Sequence, residues 1–171
     1  MNIITALVHF LDRFSQLTGR VIAWFTLLMV VITFLIVVLR YGFNLGWIAM
    51  QESVLYFHGL VFLLGAAYTL KEDGHVRVDI FYQRFSDKGK AWVNLLGTLF
   101  LLLPFCVFVF TISFDYVASA WRIMEKSGEA GGLPFVYLSK SYLLLFAFAL
   151  ALQGLSELGK NTLILVKAKE A

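Results

Sequence analysis

Four long apolar segments, separated by polar segments, dominate the pattern along the chain. Residues 21–39 and residues 91–114 contain no charged side chain, and residues 48–70 and 134–158 are apolar over similar lengths with few charges. A helix that rises about 1.5 Å per residue needs about 20 residues to cross about 30 Å of hydrocarbon. The pattern therefore predicts an all-α integral membrane protein with four transmembrane helices, folded as a single domain over residues 1–171.

The first segment has a different pattern. In residues 1–20 apolar side chains recur every three or four positions, whereas Asp12, Arg13 and Arg20 occupy other positions. This spacing predicts an amphipathic helix that lies at the membrane interface. The apolar segment that follows is too long for the core of a signal peptide and no small-residue cleavage motif follows it, so we expect this helix to be retained.

A polar hinge segment, residues 71–90, separates two apolar halves of similar size. It holds five Lys or Arg residues and four acidic residues. Within it, His75, Arg77 and Asp79 alternate with apolar residues. A solvated connection between helices is one interpretation. The alternation favours another, in which the segment is half buried against the bilayer or a further subunit, with Arg77 and Asp79 available for ion pairs.

The second half of the chain contains one further loop. The helical spacing of the third segment continues past residue 114, which predicts that this helix extends outward from the membrane. Residues 128–134 contain three glycines and Pro134, a composition typical of a loop that precedes a helix. Residues 159–171 return to polar character and are predicted to form a C-terminal tail.

The distribution of positive charge predicts the orientation. Ten of the fourteen Lys and Arg residues lie in the N-terminal segment, the hinge segment and the C-terminal tail, and four lie on the alternate side of the predicted helices. By the positive-inside rule, both termini and the hinge segment are cytoplasmic. Many secondary transporters that work alone are built from an internal repeat. The sequence shows no such repeat.

Composition supports the membrane assignment and argues against several classes of function. The chain is 60% hydrophobic and 15% charged, with a formal net charge of +3. The basic residues do not form a continuous stripe, so we expect no nucleic-acid partner. A single cysteine, Cys106, excludes an intrachain disulfide. The sequence contains no phosphate-binding loop, metal-ligand cluster or nucleophile with its base, so it predicts neither catalysis nor a cofactor.

Glu52 is the acidic residue closest to the membrane interior. A carboxylate at this depth can carry a proton or a cation. Alternatively, it pairs with Arg40 at the outer end of the first helix or reaches lipid headgroups. We favour a structural ion pair between Glu52 and Arg40.

His58 lies deeper in the second helix, where an imidazole could ligate haem or bind a proton. A haem with two histidine ligands needs a second histidine at matching depth, and neither His9 nor His75 is well placed. We therefore favour a packed, hydrogen-bonded His58.

Three further residues suit a membrane subunit with partners. Trp47 stands where an aromatic ring suits the interface. Gly65 belongs to a group of small residues that would let another helix approach closely. Lys140 is near enough to the membrane surface for its stem to lie along the helix while its ammonium group reaches the headgroups.

Several of these segments resemble one known family. Residues 47–52, the sequence Gly-Ala-Ala-Tyr at 65–68 and the sequence from Gly74 to Phe81 are similar to the small, DctQ-type membrane subunit of tripartite ATP-independent periplasmic (TRAP) transporters. The resemblance covers all four helices and is most specific between residues 65 and 81. Residues 127–134 and Lys140 also fit, and are similar to branches of the family that handle keto or hydroxy acids. Gln51 stands where many relatives have an acid.

The resemblance implies an accessory role in the bacterial inner membrane. It implies a large, DctM-type membrane subunit that holds the substrate and sodium sites, a soluble periplasmic, DctP-type binding protein that captures an organic acid, and surrounding lipids. We expect the contacts at the outer face of the membrane to involve Arg40, Glu52 and residues 115–134. We expect the hinge segment to position the inner face. The candidate structural or interface residues are Arg40, Trp47, Glu52, Gly65, His75, Arg77, Asp79 and Lys140. Two alternatives stay open: a haem-binding membrane anchor of a redox complex, and a small homodimeric proton-coupled exporter that uses Glu52.

Overall fold

The computed structural model describes residues 3–76 and 79–170. None of these residues is in a β-strand, and four helical segments are long and apolar enough to cross a membrane. The predicted all-α fold with four membrane-spanning helices is thus confirmed. The elements are α1 Ile3–Phe43, α2 Ile48–Lys71, α3 Asp79–Tyr82, α4 Asp87–Gly97, a π-helical segment Thr98–Leu102, α5 Leu103–Arg122 and α6 Val136–Glu170.

The first helix is continuous, so the predicted boundary at residue 20 between an interfacial helix and a transmembrane helix is not a helix boundary. No proline interrupts residues 3–43, and the buried side of the helix continues across the predicted boundary from Ser15 through Gly19 to Ile22. An added Cβ at Gly19 would lie 2.7 Å from the Cβ of Tyr68 near the end of α2. Gly19 therefore lets α1 and α2 approach closely where the two helices cross.

The third span is one long helix with an irregular turn. It runs from Asp87 to Arg122 and so continues past residue 114. The Leu103 backbone N–H donates to the carbonyl oxygen of Thr98, five residues earlier, and closes the π segment just before Pro104. Proline lacks the N–H that a regular helix needs, and π turns are a common way to accommodate such an interruption.

The last helix is longer than the sequence predicted. Residues 159–170, predicted as part of a polar tail, continue α6. Gly159 does not end the helix because it packs against α1, where an added Cβ would lie 2.6 Å from a methyl carbon of Val8. Packing against a neighbouring helix outweighs the low helix propensity of a single glycine.

The hinge segment is not one loop. It contains α3 and the beginning of α4, where the Ser86 hydroxyl oxygen accepts a hydrogen bond of 3.3 Å from the backbone N–H of Gly89 and caps the helix. Val76, Ile80 and Phe81 are exposed in the isolated chain. Burial of this segment against a bilayer or another subunit therefore stays a prediction.

Helix α6 lies at the centre of the bundle and packs against α1, α2, α4 and α5. The bundle has two ends. The loop end carries the turn at residues 44–47 and the loop at residues 123–135. The terminal end carries the start of α1, the end of α6 and the connection between α2 and α4.

Candidate functional sites at the two ends of the bundle

At the loop end, Glu52 of α2 holds the loop that joins α5 to α6. One carboxylate oxygen accepts a hydrogen bond from the Ser127 hydroxyl, and the other accepts a bond of 2.6 Å from the backbone N–H of Leu133. Gly132 lies between these donors, and an added Cβ would stand 2.6 Å from the Cβ of Ser127. Hydrogen bonds to an ionised carboxylate are stronger than neutral ones, so Glu52 fixes this loop to α2.

The loop is also closed by its own backbone. The Ser127 N–H donates to the Leu133 carbonyl oxygen at 3.1 Å, and the Gly132 N–H donates to the Glu129 carbonyl oxygen at 3.0 Å. Gly131 has a φ of 82°, a conformation that glycine adopts without strain. The loop is therefore a compact unit that presents a defined surface at the end of the bundle.

A second contact ties α5 to α6 near the same end. The Lys140 ammonium lies 2.6 Å from a carboxylate oxygen of Glu125 and 4.0 Å from the ring centroid of Tyr116. Nearby, the Trp121 indole N–H donates to the Ser141 hydroxyl oxygen at 2.8 Å. The prediction that Lys140 reaches lipid headgroups is wrong, because an acid and an aromatic face within the chain bind its charge.

The predicted ion pair between Glu52 and Arg40 is also wrong. Arg40 is exposed and borders a polar surface pocket of about 430 Å³ with Asn44 and Gln51. Sequence proximity favoured Arg40 as the partner of Glu52, whereas the donors that bind Glu52 come from a loop far along the chain. Only the tertiary arrangement of α2, α5 and α6 brings them together.

The other candidate residues occupy varied environments. Trp47 is exposed at the start of α2, and His75 is exposed beyond its end. An added Cβ at Gly65 would meet nothing within 4 Å, so Gly65 does not mark a close helix approach within this chain. Arg77 lies outside the described residues. Asp79 begins α3, but its side chain lies outside the part of the structure that is described.

His58 is exposed on α2, where its ring stacks on Phe62 with the centroids 6.3 Å apart. The prediction that His58 is packed and hydrogen-bonded is therefore wrong for the isolated chain. Across residues 3–76 and 79–170, no three or more His, Cys, Asp or Glu side chains come together in a way that could hold a metal ion.

The terminal end holds a polar cluster that sequence reasoning missed. Asp12 of α1 accepts a hydrogen bond of 2.6 Å from the Ser156 hydroxyl and one of 3.1 Å from the Gln153 amide nitrogen, and its other oxygen lies 2.9 Å from the Lys160 ammonium. Glu157 accepts from Gln153 at 3.1 Å and pairs with Lys160 at 2.8 Å. Gln153 and Ser156 are both 0% exposed. The cluster fastens the beginning of α1 to the end of α6.

The signal for half of this cluster was present in the sequence. Gln153, Ser156, Glu157 and Lys160 have the spacing of one helical face, a polar stripe in an apolar helix. Their partner could not be found in this way, because Asp12 belongs to a helix at the other end of the sequence.

A cavity of about 650 Å³ lies beside this cluster, between the end of α2, α4 and α6. Its polar lining includes Asn94, whose side-chain amide nitrogen donates to the Tyr82 hydroxyl oxygen at 2.9 Å and to the side-chain Oδ1 of Asn161 at 3.5 Å. Asn94 thus connects α3 to α4 and α4 to α6. The described part of the hinge region is held by these side-chain bonds.

Comparisons with known proteins identify the family of the chain. Residues 29–162 match the family described as tripartite ATP-independent periplasmic transporters, DctQ component. The chain is 30% identical over 99 residues to a Haemophilus influenzae protein that carries the name of a TRAP transporter small permease protein. That alignment covers 57% of this chain and 59% of the relative, so the chain spans less than two thirds of the relative's length. No solved structure matches. The family match covers most of the chain and includes at least part of each of the four spans, and the chain therefore belongs to the DctQ component family of tripartite ATP-independent periplasmic transporters.

Proposed function

We propose that the chain is the small accessory membrane subunit of a sodium-coupled TRAP transporter in a bacterial inner membrane. The transporter would import an organic acid that a periplasmic, DctP-type binding protein captures. The small subunit would scaffold a large, DctM-type membrane subunit and help the binding protein to dock. The family match over residues 29–162 carries this proposal.

The geometry of the polar side chains supports a scaffolding role. Glu52, Asp12 and Lys140 each bind side-chain or backbone partners on another element of the same chain. Polar groups that are satisfied within a bundle hold helices together and are costly to separate. A carboxylate that carries a proton or a cation must instead release its partners during each cycle.

The same geometry counts against the two alternatives. Glu52, the residue on which the exporter hypothesis depends, anchors a loop through both of its oxygens. His58, on which the haem hypothesis depends, lies on the exposed face of α2. We therefore retain only the accessory-subunit proposal.

The proposed orientation places both termini in the cytoplasm. It rests on the excess of Lys and Arg in the N-terminal segment, the hinge segment and the C-terminal residues. In this orientation the compact loop held by Glu52 faces the periplasm, where a soluble binding protein would approach. The hinge segment and the Asp12 cluster lie near the cytoplasmic side.

Purification of the tagged chain from its native membrane tests the proposal. We expect a larger polytopic membrane protein to co-purify in equal amount through size exclusion, identified by mass spectrometry. The complex in liposomes, with its periplasmic binding protein outside, should accumulate an organic acid when a sodium gradient is applied. A potassium gradient of equal size is the control. Recovery of the chain alone, as a stable homo-oligomer, would contradict the proposal.

A further inference from the structure

Helix α1 is too long for the membrane alone to cover its apolar surface. Its 41 residues, at about 1.5 Å per residue, extend about 60 Å, whereas the hydrocarbon layer is about 30 Å thick. Large apolar side chains are exposed along the whole helix, from Ile3 at its start to Phe43 at its end. About half of this exposed apolar surface therefore requires some other cover.

The excess lies in the first half of α1. Gly19 packs against Tyr68, which stands one turn before the end of α2 at Lys71. Because α1 and α2 are antiparallel neighbours, the residues of α1 more than about one turn before Gly19 lie beyond the end of α2. Proline and π turns, two usual causes of sharp kinks, are absent from α1. Residues 3–18 thus continue along the axis of a membrane-spanning helix instead of turning into the membrane plane.

This projecting part of α1 has three faces. One packs on α6 through Val8 and the Asp12 cluster. A second is basic and exposed, with Arg13 and Arg20. The third is an uncovered apolar ridge, which we call the α1 stripe. Its residues and their exposed fractions are Leu7 53%, Phe10 67%, Phe14 42% and Leu17 64%.

The charges beside the α1 stripe are of one sign. Arg13 and Arg20 are exposed next to it, while the acid of this segment, Asp12, is turned toward α6 and paired with Lys160. A partner that covers the stripe would thus place apolar side chains on the ridge and acidic side chains opposite the two guanidinium groups.

We propose that the α1 stripe docks a helix of another subunit of the transporter, with an apolar face and acidic residues along its edge. Side chains at positions 7, 10, 14 and 17 form a ridge at the spacing that fits the groove of a facing helix. A protein partner is favoured over lipid because these residues continue the axis of a spanning helix away from the bilayer. This inference rests on the proposed function, which supplies the complex.

Photocrosslinking in the intact complex tests the proposal. Phe10 is replaced by p-benzoylphenylalanine in the full chain, which is expressed in its native host, irradiated in membranes and purified by its tag. We expect an adduct with a second polypeptide, identified by mass spectrometry. The same variant purified without other subunits, in lipid nanodiscs, is the control and should form no protein adduct with a different chain.

A charge change checks the predicted chemistry of the partner. Arg13→Glu should lower the adduct yield by roughly threefold or more, because it places like charges opposite each other. Arg122→Glu, at the exposed end of α5 at the other end of the bundle, is the matched control and should leave the yield unchanged.

Two results would overturn the inference, and they can be told apart. If the large subunit co-purifies but Phe10 yields only lipid adducts or none, the α1 stripe is not a docking face and the proposed function stands. If no other subunit co-purifies at all, the inference and the proposed function both fail.

Discussion

Asp12 in the first helix and Lys160 in the last helix form an ion pair, with the ammonium 2.9 Å from a carboxylate oxygen. Ser156 and Gln153, both fully buried, donate to the same carboxylate. A carboxylate with three donors resists separation, because Ser156 would lose this acceptor and Gln153 and Lys160 would keep only Glu157. The first and last helices of the chain are thereby held together at the terminal end.

Asp12→Asn should destabilise the protein by roughly 1–3 kcal/mol, because Lys160 loses part of its compensation and one hydrogen-bond acceptor is removed. Thermal unfolding of the detergent-solubilised protein, followed by tryptophan fluorescence, measures the effect. Arg13→Gln is the matched control, since Arg13 is the exposed neighbour on the same helix, and should change stability by less than about 0.5 kcal/mol. Equal unfolding temperatures for the two variants would show that the ion pair contributes nothing.

Glu52→Gln should loosen the loop at residues 123–135 while leaving the bundle intact. The amide can accept one of the two hydrogen bonds but lacks the charge that strengthens both. Hydrogen exchange at the Leu133 amide should accelerate by roughly tenfold, because the loop would open more often. Gln51→Ala, at the exposed adjacent position, is the control. Unchanged exchange at Leu133 in the Glu52 variant would mean that the backbone alone holds the loop.

Gly132→Ala tests the packing of the same loop without changing charge. The new methyl group would lie 2.6 Å from the Cβ of Ser127 and 2.8 Å from a carboxylate oxygen of Glu52, so one of these groups must move. We expect a loss of about 1–3 kcal/mol in unfolding free energy. Gly128→Ala serves as the comparison, because a Cβ there meets nothing within 4 Å. A similar effect of both substitutions on the unfolding temperature would contradict the observed packing.

Hydrophobic patterning was sufficient to predict the four spans. It did not predict where the helices end, because packing between neighbouring helices determines those positions. The boundary at residue 20 and the end of the last helix at residue 158 were placed where the pattern of polar residues changes. Both helices continue past these positions, where Gly19 and Gly159 pack closely against neighbouring helices. A single sequence identifies a glycine, but it does not show whether a neighbouring helix occupies the space beside it.

The candidate polar residues were found more readily than their partners. Glu52 and Lys140 stood out as charges close to apolar segments, yet each binds a group in the region between α5 and α6 that no short-range pattern connects to it. Asp12 was dismissed as the polar side of an amphipathic helix, although it faces the core of the bundle. Partner identity depends on which helices are neighbours, and that information is not local.

The pairing of Lys140 with Glu125 yields a final prediction, in which loss of this acid should cost more stability than loss of Asp115, an exposed acid on α5. Glu125→Gln removes the carboxylate and leaves only the ring of Tyr116 beside the Lys140 ammonium. Both side chains are largely shielded from solvent, since Lys140 is 17% exposed and Glu125 is 29% exposed. We expect roughly 1–2 kcal/mol of destabilisation. Asp115→Asn, at an exposed position of α5, should change the unfolding free energy by less than about 0.5 kcal/mol.

In the double variant Glu125→Gln with Lys140→Met, the combined loss should be smaller than the sum of the single losses, because the second substitution removes the charge that the first leaves unpaired. Additive losses in the thermal unfolding measurements would show that Lys140 and Glu125 stabilise the protein independently.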